Sequence, residues 1–146
     1  TQRIRAASGA RIEAVQADIR EVDLGTERFD IVMAAQCLHH LRDEAEWHDV
    51  FLRVFRSLRP GGGFWIADYV EHELPAVQAV MRRRWGDYLS AQKGDAYRDH
   101  VMAYVEQEDT PRPLRFQLDL LRRVGFGRID VLHVNTRFVA FGGVKG

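Results

Sequence analysis

The sequence predicts an α/β domain: a mainly parallel sheet of Rossmann-like type, finished by an antiparallel hairpin. Three observations carry this. Residues 29–35 (FDIVMAA) form a near-continuous apolar run with almost no alternation, the pattern of a strand covered on both faces. From about Asp43 to Leu58, Trp47, Val50, Phe51, Val54, Phe55 and Leu58 recur at helical spacing and make one apolar face. Residues 64–69 (FWIADY) then return to a buried-strand pattern. Strand, helix and strand in this order form one parallel crossover unit, which is right-handed in nearly all proteins.

The remaining elements follow from local signals. Thr1 to Ala7 reads as the tail of a helix closed by Ser8-Gly9, and Ile12 to Ile19 reads as a strand. Pro60 with Gly61-Gly62-Gly63 stops the first full helix and makes a turn. Pro75 suits a first helical position, and Val77, Val80, Met81, Trp85 and Leu89 mark an amphipathic helix after it. A more polar helix is expected over Asp95 to Val105. Thr110-Pro111 reads as a cap and first-turn proline for a helix carrying Leu114, Leu118 and Leu121, closed by Gly125. Two strands, about Arg128 to Val134 and Arg137 to Phe141, joined tightly through Asn135-Thr136, end the chain as a hairpin.

Composition narrows the class of function. The 146 residues carry 21 Lys+Arg against 21 Asp+Glu, so the formal charge is zero. Neutrality weighs against a nucleic-acid surface, and the densest basic run, Arg82-Arg83-Arg84, is short enough to be a solvated helix face. No apolar stretch approaches the roughly 20 residues that span a bilayer, and the amino terminus lacks a signal-peptide pattern. Cys37 is the only cysteine, which excludes an internal disulfide and a cysteine-cluster metal site. With no repeat or linker, residues 1–146 read as a single cytoplasmic domain, with no membrane partner.

In open α/β sheets, ligands bind beyond the carboxyl ends of the parallel strands. That rule selects Asp18-Ile19, Ala34 to His40, and Asp68-Tyr69. The Asp18 carboxylate can accept from an exocyclic amine while the Ile19 amide donates to a ring nitrogen, together reading an adenine edge; equally, Asp18 can cap a turn. Ala34 and Ala35 leave room for a ligand against the backbone, or are ordinary small packing residues. His39 and His40 are adjacent and make a poor chelate, and no metal is expected. An imidazole there can act as a base, but a packed structural histidine is the commoner outcome. Asp68 and Tyr69 can orient an acceptor or cap the next segment. Tyr88, Tyr97 and Tyr104 are candidates for a lid, or core residues at helical spacing. Cys37 is read as packed, and the glycine run as a turn, since it neither opens a helix nor carries the lysine of a phosphate loop.

The segments VQADI, FDIVMAAQCLHHL and LRPGGGFWIADYV resemble the second half of a class I S-adenosylmethionine-dependent methyltransferase. QLDLLRRVGF followed by NTRFVAFGGVKG is similar to the closing helix and hairpin of its small-molecule members, and to the branch that makes or uses carboxymethyl groups on wobble uridine. The resemblance runs from about Ile12 onward. It implies S-adenosyl-L-methionine as cofactor, with Asp18 on the adenine amine, Ile19 on the adenine ring, Ala34 and Ala35 beside the methionine part, and His39 near the reactive centre. Gln36 to Leu38 would form the bend leading there. Glu71 to Glu108 would build a helical cap over the acceptor, with Asp68 and Tyr69 at its floor.

The same resemblance exposes a departure. The family's glycine-rich loop after its first strand and the acidic residue ending its second have no counterpart from Thr1 to Arg11. The family's sheet order, 3-2-1-4-5-7-6, then leaves the strand at residues 29–35 without a neighbour on one side, an apolar edge that invites pairing. An excerpt of a longer enzyme, a rearranged sheet, or a partner covering that edge, including a second copy in a homodimer, would each account for it; the excerpt is favoured. The implied reaction is methyl transfer to a small-molecule acceptor, with RNA as the other acceptor class. The competing expectations are a non-catalytic interaction module and, more remotely, a nicotinamide-dependent oxidoreductase, whose G-x-G-x-x-G fingerprint is absent.

Overall fold

A computed structural model describes residues 11–146; the helix tail expected over Thr1 to Ala7 and its Ser8-Gly9 stop lie outside the described residues. The elements are β1 (Phe29–Ala35), a 3-10 turn (Leu38–His40), α1 (Glu44–Ser57), β2 (Leu58–Tyr69), α2 (Pro75–Lys93), α3 (Asp95–Glu108), α4 (Leu114–Val124), β3 (Phe126–Asn135) and β4 (Phe138–Lys145). They form one four-stranded sheet in the order β1-β2-β4-β3. The β1–β2 pair is parallel, and the β2–β4 and β4–β3 pairs are antiparallel. This order is the 4-5-7-6 half of the sheet that the resemblance implies.

Helix α1 begins where the Asp43 carboxylate accepts the Glu46 amide at 2.9 Å, satisfying one of the unpaired first-turn donors. Its buried stripe, Trp47, Val50, Phe51 and Val54, meets Leu120, Leu121 and Val124 of α4 over Phe64 and Ile66 of β2 and Val139 and Phe141 of β4. Edge-on aromatic pairs, Phe51 with Phe64 at 5.5 Å and Phe55 with Phe126 at 5.1 Å, knit this layer. Gly125 ends α4 at φ 119, a left-handed conformation open to glycine at low cost. Its carbonyl-capping amide and the short link to β3 follow from that turn.

Four expectations are corrected. Residues 12–19 form no strand: the sheet of the described residues consists of β1, β2, β4 and β3, and a stretch outside its ladder is not held extended. β1 is covered on one face, not two, because α1 and α4 both pack on the Val32–Ala34 side. Ile31 and Met33 are therefore 61% and 77% exposed. Pro60 to Gly63 do not break the chain into a turn. They form an irregular start to β2, whose pairing jumps from Leu58 opposite Phe29 to Gly63 opposite Ile31. Thr110 caps no helix, since α4 starts at Leu114 behind Pro113.

The hairpin link also shifts by one residue, to Thr136-Arg137, with Asn135 opposite Phe138 and Thr136 at φ 55. Helices α2 and α3 pack against each other, where Gly86 lets Arg98 and Met102 approach and Arg82 pairs with Glu106. No helix among the described residues is long and apolar enough to cross a membrane.

Candidate functional site

Ala35 is paired with Ala67, so the carboxyl ends of β1 and β2 lie side by side and the segments that follow them share one edge of the sheet. After Ala35 the chain bends through Gln36, at φ 52, whose amide donates to the Ala67 carbonyl at 3.0 Å. A non-glycine residue in this region of backbone space is uncommon and marks a bend imposed by its surroundings. The bend aims two successive amides, Cys37 and Leu38, at Oδ2 of Asp68, at 3.2 and 2.9 Å. Oδ1 of Asp68 accepts the Tyr69 amide at 2.9 Å and lies 2.6 Å from Nδ1 of His39. Asp68 is 2% exposed. It is thus an internal hub that joins the two strand ends, and three amides and an imidazole compensate its burial.

Tyr69 continues the network. Its ring lies 4.3 Å from that of His39, and its hydroxyl donates to Oδ2 of Asp109. Burial, together with the Asp109 carboxylate, pushes the phenol well above its ordinary value, so it stays a neutral donor. Asp109 arrives from the end of α3. Thr110 anchors that segment to the histidine turn, its amide donating to the His39 carbonyl at 2.8 Å and its hydroxyl to the Leu41 carbonyl at 2.6 Å. Arg137, in the hairpin link, is buried with its guanidinium over the rings of Tyr69 at 4.5 Å and Trp85 at 4.9 Å. Burial lowers its pKa. Cys37 is half-buried, and desolvation followed by the nearby Asp68 charge raises its thiol, which keeps it unreactive.

The other candidates fall on a second side of this edge. Asp18 heads a turn, its carbonyl accepting the Glu21 and Val22 amides, and its carboxylate is forked by Arg20, with Nη2 at 2.6 Å. Hydrogen bonds from Arg20 hold that carboxyl at about 2. Ile19 and buried Ala34 line an apolar hollow of about 300 Å³ with Leu24, Val32, Cys37 and Phe64. Asp18, Ala35 and His39 do not line it; Ala35 points from the exposed face of β1. A larger hollow of about 410 Å³ lies where α2 meets the hairpin, lined by Arg84, Trp85, Tyr88, Asn135, Thr136 and Phe138. Of the three tyrosines read as lid candidates, Tyr88 lines it, Tyr104 is exposed, and Tyr97 packs under Lys93.

The structure therefore joins His39, Asp68 and Tyr69 and adds two residues that sequence reading passed over, Asp109 and Arg137. Nothing local distinguishes either one. Asp109 sits in an ordinary helix-ending segment, and Arg137 was read as the first residue of a strand; only the return of the chain brings them to the sheet edge.

Residues 1–62 match the family model described as a methyltransferase domain. No curated protein is matched. Among solved structures, the chain resembles an O-methyltransferase family protein from Burkholderia thailandensis, at 16% identity and TM-score 0.66, over 99% of this chain and 40% of that one. It also resembles the Burkholderia thailandensis 1,6-didemethyltoxoflavin-N1-methyltransferase, solved with 1,6-didemethyltoxoflavin and S-adenosylhomocysteine, at 18% identity and TM-score 0.63, over 99% and 55%. Human N-acetylserotonin methyltransferase in complex with SAM aligns at 16% identity and TM-score 0.58, over 90% and 33%. The chain shares the fold of these methyltransferases, and the family-model match lies within its first 62 residues. The chain spans between a third and just over half of the length of these three solved chains.

Proposed function

We propose that this chain supplies the acceptor side, and the adenine end of the cofactor side, of a site that transfers a methyl group from S-adenosyl-L-methionine to a small-molecule acceptor. The observation that carries this reading is the pairing of two features at one sheet edge. An apolar hollow containing Ile19 and Ala34 lies beside the end of β1, and a buried Asp68–His39 pair lies across the ends of β1 and β2.

The hollow fits the flat, largely apolar face of an adenine, and Ile19 lines it next in sequence to Asp18, whose carboxylate is held by Arg20. No glycine-rich loop or ribose-holding acid is present in the sequence, so the fit covers one end of the cofactor. When bound, the cofactor supplies a methyl group on a sulfonium. What the chain's own residues contribute is position: Asp68 fixes the histidine turn, Tyr69 and Asp109 brace it, and the α2–α3 pair with the 410 Å³ hollow forms the acceptor side. Alignment of this kind can supply most of the acceleration for a displacement reaction. Zero net charge and the aromatic lining of that hollow favour a small molecule over RNA.

Calorimetric titration of the chain with S-adenosylhomocysteine tests the reading. Micromolar binding, weakened about 10-fold or more by Asp18→Ala, is expected. Absence of binding by a folded chain would favour the second reading, an interaction module acting through the exposed β1 edge at Ile31 and Met33.

A further inference from the structure

Two loops distant in sequence bring three ligand-type atoms together. One ligand-type atom each from His39, His40 and Asp109 lies within 4.8 Å of the other two. Oδ1 of Asp109 is 3.1 Å from His40 Nδ1 and 3.8 Å from His39 Nε2. The Asp109 side chain is only 3% exposed, yet this oxygen receives no aligned hydrogen bond, because the His40 nitrogen approaches it off the donor direction. A buried carboxylate oxygen without a donor is costly and calls for an occupant.

We propose that His39, His40 and Asp109 form a binding site for a divalent first-row transition ion of the zinc type. Zinc binds imidazole nitrogen at about 2.0–2.1 Å and carboxylate oxygen at about 2.0–2.2 Å. Donors around one such ion stand roughly 3–4 Å apart, which is the spacing of Oδ1 from both nitrogens. The surroundings match what ligating histidines and carboxylates require. Asp68 binds Nδ1 of His39, which fixes the tautomer and leaves the Nε2 lone pair outward. The Tyr69 hydroxyl occupies Oδ2 of Asp109 and leaves Oδ1 for the ion. His40 is half exposed, so the ion would reach solvent and keep open positions. Two nitrogens and one oxygen suit zinc, cobalt or iron better than calcium or magnesium, which favour all-oxygen sets.

Adjacent histidines make a poor chelate by themselves; the 3-10 turn and Asp109 change that. The turn tilts the two rings by 56° at a centroid separation of 4.2 Å, and Thr110 brings the carboxylate against both. An ion held here would lie beside Tyr69 and could bind an acceptor hydroxyl, easing loss of its proton to solvent. That consequence rests on the methyl-transfer reading; the metal site does not.

The test is titration of metal-stripped protein with Zn²⁺ by calorimetry and with Co²⁺ by visible absorption, which reports nitrogen and oxygen coordination directly. One ion per chain is expected, bound at least about 10-fold more weakly by His40→Ala and by Asp109→Asn, and equally well by His48→Ala. His40 and His48 are both about half exposed, so their substitution leaves the fold intact. No stoichiometric binding by the folded chain, or binding unaffected by both site variants, would overturn the proposal. Ion binding without any S-adenosylhomocysteine binding would uphold the metal site while removing the methyl-transfer reading.

Discussion

Oδ1 of Asp68 stands 2.6 Å from Nδ1 of His39, and both groups are buried where the ends of β1 and β2 meet. One carboxylate thereby holds an imidazole, the two amides of the preceding bend and the amide of Tyr69. Asp68→Ala strands all four donors in the interior. Breaking a buried pair of this kind costs about 3–5 kcal/mol, and denaturant unfolding should record a loss of that order. A change below about 1 kcal/mol would mean that the pair behaves as a solvent-screened surface contact.

Tyr69 gives the fold an alkaline limit. Its phenol is raised above the ordinary value of 10.0, chiefly by burial and then by the bond to Asp109. The folded state therefore retains a proton that the unfolded chain releases. Stability from this group is fully present below pH 10 and falls as pH rises beyond it. Urea unfolding across that range should show the decline in the native chain and a flatter profile in Tyr69→Phe, which has no proton to lose at that position.

Asp18 behaves in the opposite sense at the other end of the pH scale. Its carboxyl is held at about 2 by hydrogen bonds from Arg20. The contribution of this exposed pair is present above the usual carboxylate value and fades as pH falls toward 2. Carbon-detected NMR titration should place Asp18 near that value in the native chain. Arg20→Ala should return it toward 3.8, the value without that partner.

Adjacent residues of β2 should respond unequally to truncation. Phe64 is fully buried beneath α1, and Phe64→Ala should cost about 3–5 kcal/mol. Trp65 points to the opposite face beside exposed Met33 and is only half-buried. Trp65→Ala should therefore cost clearly less, although the tryptophan run was expected to be core. Equal losses in thermal unfolding would mean that both faces of the sheet are covered in solution.

The β1 edge should be adhesive. Ile31 and Met33 are exposed on its open face, and the strand has no neighbour on its outer side among the described residues. Sedimentation should show concentration-dependent association of the chain, reduced in Met33→Lys, since charge on an edge strand opposes pairing. A monomer at every concentration would count against an open edge.

The hydrophobic pattern alone carried much of the architecture. The apolar run 29–35, the helical spacing of Trp47 to Val54 and the run 64–69 each became the expected element, because local periodicity reports which face is buried. Pro75 and Gly125 marked boundaries for equally local reasons, one by its fixed φ and the other by its left-handed φ. Residues 12–19 show the limit of such reading: strand propensity was present, but a ladder needs a partner, and that is a property of the whole sheet.

The site divides in the same way. Sequence by itself determined that Asp68, Tyr69 and His39 would stand at or just beyond the carboxyl ends of their strands, because a parallel crossover puts successive carboxyl ends together. Tertiary structure alone decided that Asp68 serves His39 and not a helix end, and that Asp109 and Arg137 join the network. Those residues meet across 29 to 68 positions of chain, and no pattern of neighbours in sequence records a contact made by the return of a helix or a hairpin.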